Sequence, residues 1–544
     1  MERVRRGRAL PGAGGAGAAG GRPAVVRPCG AGPAEGRRDA HRHASNTARG
    51  GARRNPLKFF GAGRPIRGPP VRRSVEPHSD SRGDDVPHTQ VAAPVPPSGD
   101  GTGRFPLSSQ QELWCAGEQS GSFGPRFTVT KALRITGPVD VAALQGALDD
   151  VVARHEVLRT VIVRDARPPY QEVHPPSRVP LHVRDLPPAE GQDRELMAQH
   201  LLAETESVVL PVEDLPLLRA FLTRFDDRDA VLGLASHHTA ADGWSLQLIN
   251  RDLATCYAAR TRGAEPELPQ LRQYREYTQW QSENAAGASA AENLAYWRKR
   301  LDGAPFFTLP TDRPIPPEHT EPYVAHTFRF DTATMDAVSA LGRAARCSRF
   351  MVMLAAFSVL ARRIGGVDDP VVNTIVHGRG RPEYQDTVGP FLNFLALRTD
   401  LADAGTFREL LLATRTTCLE AYRHEVPIQW VEQAVPSLMA PMADPRNCDF
   451  IFGFSESLAA SPGAGDPFLI SESTVPVAKR ESVTEQIPGG AAWNMGVTAS
   501  GEVSGTLQFN PEEFDAGTAA GWVEAYRSIV LGVLADPDRD WRTL

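Results

Sequence analysis

The apolar run Val231-Leu232-Gly233-Leu234-Ala235 leads into His237-His238-Thr239-Ala240-Ala241-Asp242-Gly243-Trp244-Ser245, and a helix-like segment follows. A strand, a polar turn and a helix in immediate succession commit this part of the chain to a mixed α/β layer. They also bring an imidazole, an acid and a helix start within one turn of chain. Histidine has the unperturbed pKa best suited to a general base near neutral pH. Side chains alternate along an extended segment, so only one of His237 and His238 can face an open cleft. Asp242 lies close enough to orient the imidazole or to brace the turn through an arginine. Gly243 permits close backbone approach or a positive φ, and its N–H can help hold a developing oxyanion. The same spacing also suits a satisfied structural turn. A metal site would need further ligands at recognisable spacing, and none accompany these residues.

Other segments carry the same mixed signal. A helix with Val141, Leu144, Leu148, Val151 and Val152 on one face is expected after Asp140, a good N-cap. Strands are expected at Val371–Val376, Phe450–Phe454 and Val503–Phe509, and helices at Phe350–Arg363 and Phe407–Arg423. Pro305–Pro317 reads as a connection between lobes. The expected organisation is a tail over 1–104, one lobe over 105–290 carrying the double histidine, and a second lobe over 291–544.

The tail is dominated by Arg, Gly, Ala and Pro, cannot bury enough apolar surface to offset its chain entropy, and is expected to be disordered. It holds 19 Lys and Arg against 8 Asp and Glu, an excess of 11, so with −6 overall the remaining 440 residues carry −17. An acidic folded part argues against a nucleic-acid partner. No apolar run is long enough to span a bilayer, and no secretory h-region follows the N-terminus. The six cysteines are scattered without C-x-x-C spacing, as in free thiols of a reducing cytoplasm.

Set beside its flanking stretches, His237–Ser245 resembles the signature of the condensation-domain family of nonribosomal peptide synthesis. Leu107-Ser108-Ser109-Gln110-Gln111-Glu112-Leu113-Trp114 is similar to the family's opening Ser-x-x-Gln-x-x-Leu-Trp motif, and Arg154-His155-Glu156-Val157-Leu158-Arg159-Thr160 to its second. Tyr274–Gln281, then Tyr296-Trp297, resembles the crossover region, and Val388-Gly389-Pro390-Phe391-Leu392-Asn393 the Ile-Gly-x-Phe-Val-Asn motif. His424–Pro427 and Asp444–Asn447 echo the last two motifs. The likeness covers about 105–544.

The resemblance implies two chloramphenicol-acetyltransferase-like lobes in a V-shaped pseudo-dimer, with a tunnel at their junction. An acyl or peptidyl carrier protein would present the donor on its phosphopantetheine arm, and the enzyme would bind no cofactor or metal of its own. His238 would deprotonate or position the amine or alcohol acceptor, so that an amide or ester forms. Asp242 would be mainly structural, paired with an arginine of the second lobe. Arg362 is the first expectation for that partner and Arg379 the second. Arg154–Thr160 is expected to be a packing element, Trp114, Trp280 and Trp297 core aromatics, and Asn393 part of the tunnel floor. Ser245 does not sit in a nucleophile elbow, so a covalent acyl-serine is not expected.

The pattern Asp242-Gly243-Trp244-Ser245-Leu246 is the condensing form rather than the epimerising one. Two rival readings remain. Acyl-CoA-dependent O-acyltransferases of the wax-ester or diacylglycerol type share the double histidine. A silent platform that recruits carrier proteins is the other, although silent versions usually lose the second histidine. With no Gly-Gly-x-Ser carrier motif and no adenylation region, the chain is expected to act as a free-standing condensation enzyme of antibiotic biosynthesis. It resembles actinomycete relatives that attach an aminoacyl side chain to an enediyne core.

Overall fold

The computed structural model describes residues 103–120, 128–206, 208–316, 323–456, 471–472, 490–498 and 501–544. All but the last two residues of the basic tail expected over 1–104 lie outside them.

The apolar run that precedes the double histidine is strand Asp229–His237, flanked on both sides by antiparallel neighbours, Thr128–Thr136 and Leu218–Asp226. Leu181–Asp185 and the two-residue strand Ser471–Glu472 complete this five-stranded sheet at its two edges. Residues 230–237 are all buried, because helices cover both faces. Helices Val141–Arg154 and Gly243–Thr261 pack on one face, where Leu144, Leu148, Leu232, Leu234 and Ile249 share a core. Helix Arg194–Glu206 covers the other through Ala198 and Leu201. Asp140 caps the first of these helices by accepting from the N–H groups of Ala142 and Ala143, as its sequence implied. A small three-stranded sheet of Gly103–Pro106, Tyr170–Val173 and Thr160–Val163 lies apart from it.

A second large sheet runs in the order Asn393–Arg398, Val371–Val376, Asn447–Glu456, Gly490–Val497, Val503–Phe509, Val324–Phe330. Helix Arg349–Gly365 is apolar on almost every side, and residues Met351–Ala361 are buried accordingly. Phe357 is central to this core, stacked on Phe450 at 4.9 Å and packed against Phe452, Trp493 and Tyr526. Helix Phe407–Arg423 begins with a capping box in which Thr406 and Glu409 serve each other's backbone N–H.

The stretch from Pro305 is more than a connection. Phe306, Phe307 and Leu309 are buried in the second core, and Leu309–Pro310 pairs with Asn447–Cys448. The preceding helix already ends at Arg300, capped by Leu301, with Gly303 in the left-handed region before Pro305, and the aromatic side chains anchor the stretch that follows. Pro317 lies outside the described residues. The chain also crosses back: Tyr384, Val388 and Phe391 belong to the first core, beside Tyr274 and Tyr277. Among the described residues Cys115, Cys256, Cys347, Cys418 and Cys448 are free thiols. No single helix there is long and apolar enough to cross a membrane.

Candidate active site

Strand Asp229–His237 ends at the first histidine, and alternation decides the fate of each ring. His237 points inward and is 1% exposed. Its Nδ1 accepts the Thr239 N–H at 3.2 Å and lies 2.7 Å from the Thr239 hydroxyl. Burial pushes its pKa down to about 3, helped by the nearby rings and charges of His238 and Arg164. His237 is therefore a neutral structural imidazole. His238 leaves the strand and keeps part of its surface open. Burial lowers its pKa too, opposed by the negative charge of Asp242 and by the backbone of His238 and Ala241.

Asp242 ends the turn and caps helix Gly243–Thr261, its Oδ1 accepting the Ser245 N–H at 2.8 Å. Its partner arginine is Arg379, not Arg362. Arg379 donates from both terminal nitrogens to the two carboxylate oxygens, at 2.9 and 3.1 Å, and is 1% exposed. Arg362 sits in the last turn of its helix and bonds Asp368 at the surface, with both side chains substantially open to solvent. Arg379 instead follows strand Val371–Val376 through Gly378, whose φ of +63° turns the chain toward the first sheet. A Cβ on Gly378 would stand 1.9 Å from the Phe391 carbonyl oxygen, so no other residue fits.

The second carboxylate oxygen of Asp242 also accepts the N–H groups of Phe391 and Leu392, at 3.0 and 3.1 Å. Arg379 spends its remaining donors on the carbonyls of His377, Thr387 and Gly389 and on the Ser245 hydroxyl, and its guanidinium lies over Phe391 at 4.3 Å. Its attraction and the Asp242 hydrogen bonds hold that carboxyl below the usual carboxylate range despite burial. Ser245 is consumed as well: its Oγ donates to the Gly389 carbonyl and accepts the Gly389 N–H. A nucleophilic role for it has no geometric basis.

Gly243 opens the helix with an exposed backbone, outside the positive-φ region, and nothing lies within 4 Å of where a Cβ would stand. The left-handed conformation allowed for it in the sequence is therefore not used. Arg154–Thr160 packs as expected: Arg154 and His155 both reach Asp252, and Glu156 pairs with Arg275 at 2.6 Å. Trp297 is fully buried, its indole N–H given to the His424 carbonyl. Asn393 lines a cavity of about 320 Å3 beside Arg379, together with Gln110, Tyr277, Glu425 and Trp430. Its side chain ties Glu425, the Val426 carbonyl and the Ile428 N–H together, and burial raises the Glu425 pKa.

One contact escaped the sequence. Trp114, expected to be a core aromatic, is buried but stacks on the His238 ring at 4.0 Å between centroids and 24° between planes. Nothing in the local pattern signals it, because the two residues belong to different elements.

The family model for the condensation domain matches residues 102–449. The chain belongs to the condensation-domain family. A linear gramicidin synthase of Brevibacillus parabrevis is 32% identical over 450 residues, 81% of this chain but only 6% of that protein. The phosphinothricin tripeptide synthetase PhsC of Streptomyces viridochromogenes is 36% identical over 62% of this chain and 31% of its own length. This condensation domain thus spans a small fraction of the curated relatives it matches. Among solved structures, the SgcC5 protein from Streptomyces globisporus, in complex with (R)-(-)-1-(2-naphthyl)-1,2-ethanediol and sucrose, is 38% identical with a TM-score of 0.71. The match covers 80% of this chain and 100% of that one. The fold is the mixed α/β arrangement of two chloramphenicol-acetyltransferase-like lobes that condensation domains have. Condensation domains are acyltransferase-type enzymes that form amide bonds in nonribosomal peptide synthesis.

Proposed function

We propose that this condensation domain moves an acyl or aminoacyl group from the phosphopantetheine thioester of a carrier protein to an amine or alcohol. The lobes we assign are 105–290 and 291–544. The observation that carries the reading is the division of labour in the turn. His238 alone of the two rings keeps an open face, while Asp242 is wholly occupied in bracing the turn to the second lobe. His238 takes the proton as the acceptor nitrogen or oxygen attacks the thioester carbonyl. The new C–N or C–O bond forms, negative charge gathers on the former carbonyl oxygen, and collapse breaks the C–S bond. The departing thiolate then recovers the proton from His238. The N–H of Gly243, first in its helix, suits that transient oxyanion. His237 and Asp242 hold His238 in place. The SgcC5 complex with a diol supports an alcohol as one acceptor class.

The test offers the protein carrier-bound and CoA-bound acyl donors with a panel of amines and alcohols, and reads products by mass spectrometry. Turnover is expected from the carrier thioester, and His238→Ala is expected to lose about a thousandfold or more in kcat while keeping its melting temperature. Transfer from acyl-CoA alone would point to the O-acyltransferase reading. An inert wild-type protein that still binds carrier protein would point to the platform reading.

A further inference from the structure

A general base is ordinarily oriented by a third group that hydrogen-bonds its far nitrogen. His238 lacks that arrangement. Its Nδ1 is buried and finds no side-chain partner among the described residues; only the backbone of His238 and Ala241 lies against the ring and favours its charged form. Asp242, the natural candidate, gives its oxygens to Arg379, Ser245, Phe391 and Leu392. The group that does contact the ring is Trp114, face to face at 4.0 Å.

The indole is a fixed plate. It rides on helix Ser109–Ser120, whose start is secured several times over. Ser108 and Gln111 form a capping box, each side chain serving the other's backbone N–H at 3.0 Å. The Ser108 and Tyr274 hydroxyls are 2.6 Å apart, and the Ser109 N–H donates to the Gln281 side-chain oxygen at 2.7 Å. An electron-rich aromatic face against an imidazole does two things. It fixes the plane of the ring, and it favours the ring's cationic form by cation–π attraction, for which tryptophan is the best of the aromatic side chains.

The other charged and titratable groups around His238 leave this task open. Asp242 attracts the imidazolium, but Arg379 neutralises that carboxylate directly. His237 is neutral, and Arg164 acts on His237. Glu112, on the Trp114 helix, is exposed.

We propose that Trp114 is the positioning residue of this active site: its indole face sets the His238 ring plane and stabilises the imidazolium formed when His238 takes the acceptor's proton. The proposal rests on His238 acting as the base. Trp114 exchanges neither electrons nor protons; the proton passes from acceptor to His238 and on to the leaving sulfur.

The experiment compares wild type, Trp114→Phe and Trp114→Leu by the pH dependence of kcat/KM and by NMR titration of the His238 ring in the free protein. Loss of the indole removes a stabiliser of the cation, so both readouts should move to lower pH. In Trp114→Leu the shift should be about half a unit to one unit, and smaller in Trp114→Phe. kcat should fall about tenfold in the Leu variant, with KM for the acyl donor unchanged. A fall in kcat with unmoved titration and unmoved pH limb overturns the proposal, leaving Trp114 as packing only. If the Leu variant does not fold, the Phe variant decides by the same two readouts. The ring titration needs no turnover, so it separates this proposal from the base reading, which His238→Ala tests on its own.

Discussion

At the scale of single residues, two adjacent histidines are driven apart in chemistry by a half-turn of extended backbone. His237 is sealed in the core and kept neutral, with its pKa near 3 against about 6.5 in an unfolded chain. The linkage has a definite sign. Between those two values the unfolded state binds a proton that the folded state refuses, so His237 supports folding above pH 6.5 and that support is lost progressively as pH falls toward 3. His155, also buried and depressed, adds to the same trend. The thermal midpoint is therefore expected to fall steadily from pH 6.5 to 4.5, with His237 worth about 1.4 kcal/mol per pH unit. His237→Gln should flatten the slope by about one proton's worth. A midpoint independent of pH over this range, or an unchanged slope in the variant, would refute the account.

At the scale of elements, the segments with clear periodicity or caps could be read from the sequence. Strands Val371–Val376 and Val503–Phe509 and helix Phe407–Arg423 lie where their patterns put them, because each buries a face against one continuous core. The stretch from Pro305 was harder, since its prolines advertise a linker while the burial of Phe306 and Phe307 depends on a core assembled from distant strands. The turn that delivers Arg379 illustrates how little tolerance such junctions have. Gly378→Ala would combine a left-handed φ with a Cβ 1.9 Å from a backbone oxygen. Gly263 has a similar φ of +66° but open space around it. Gly263→Ala should cost about 1 kcal/mol and Gly378→Ala clearly more, read from denaturant midpoints. Equal costs would mean that the Phe391 carbonyl yields easily.

At the scale of the molecule, the two large sheets are joined by a buried ion pair whose members lie 137 residues apart. Asp242 and Arg379 are nearly solvent-free, and removing one leaves the other charged and buried. Arg379→Ala is expected to cost about 3–5 kcal/mol. Because Asp242 also gathers the backbone N–H groups of Phe391 and Leu392, the single calorimetric transition expected of the wild type should split or broaden in this variant. Arg362→Ala, at an exposed pair with Asp368, should cost less than about 1 kcal/mol and leave one transition. Calorimetry on the two variants side by side checks the assignment; the reverse order of damage would overturn it.

The histidine pair, the cap, the helix after it and the flanking motifs are local patterns, so residue order alone was enough to read the strand, turn and helix around the histidines and the family the chain belongs to. Which arginine meets Asp242 was not legible, because one candidate closes an apolar helix and the other follows an apolar strand, and only the Gly378 turn aims one of them at the carboxylate. The Trp114 stack was equally hidden, since it depends on where one helix is pinned relative to the end of a strand. Local patterns are dictated by backbone geometry and burial on one element. Pairings between elements are selected by the packing of the whole, and that selection gave His238 its neighbours.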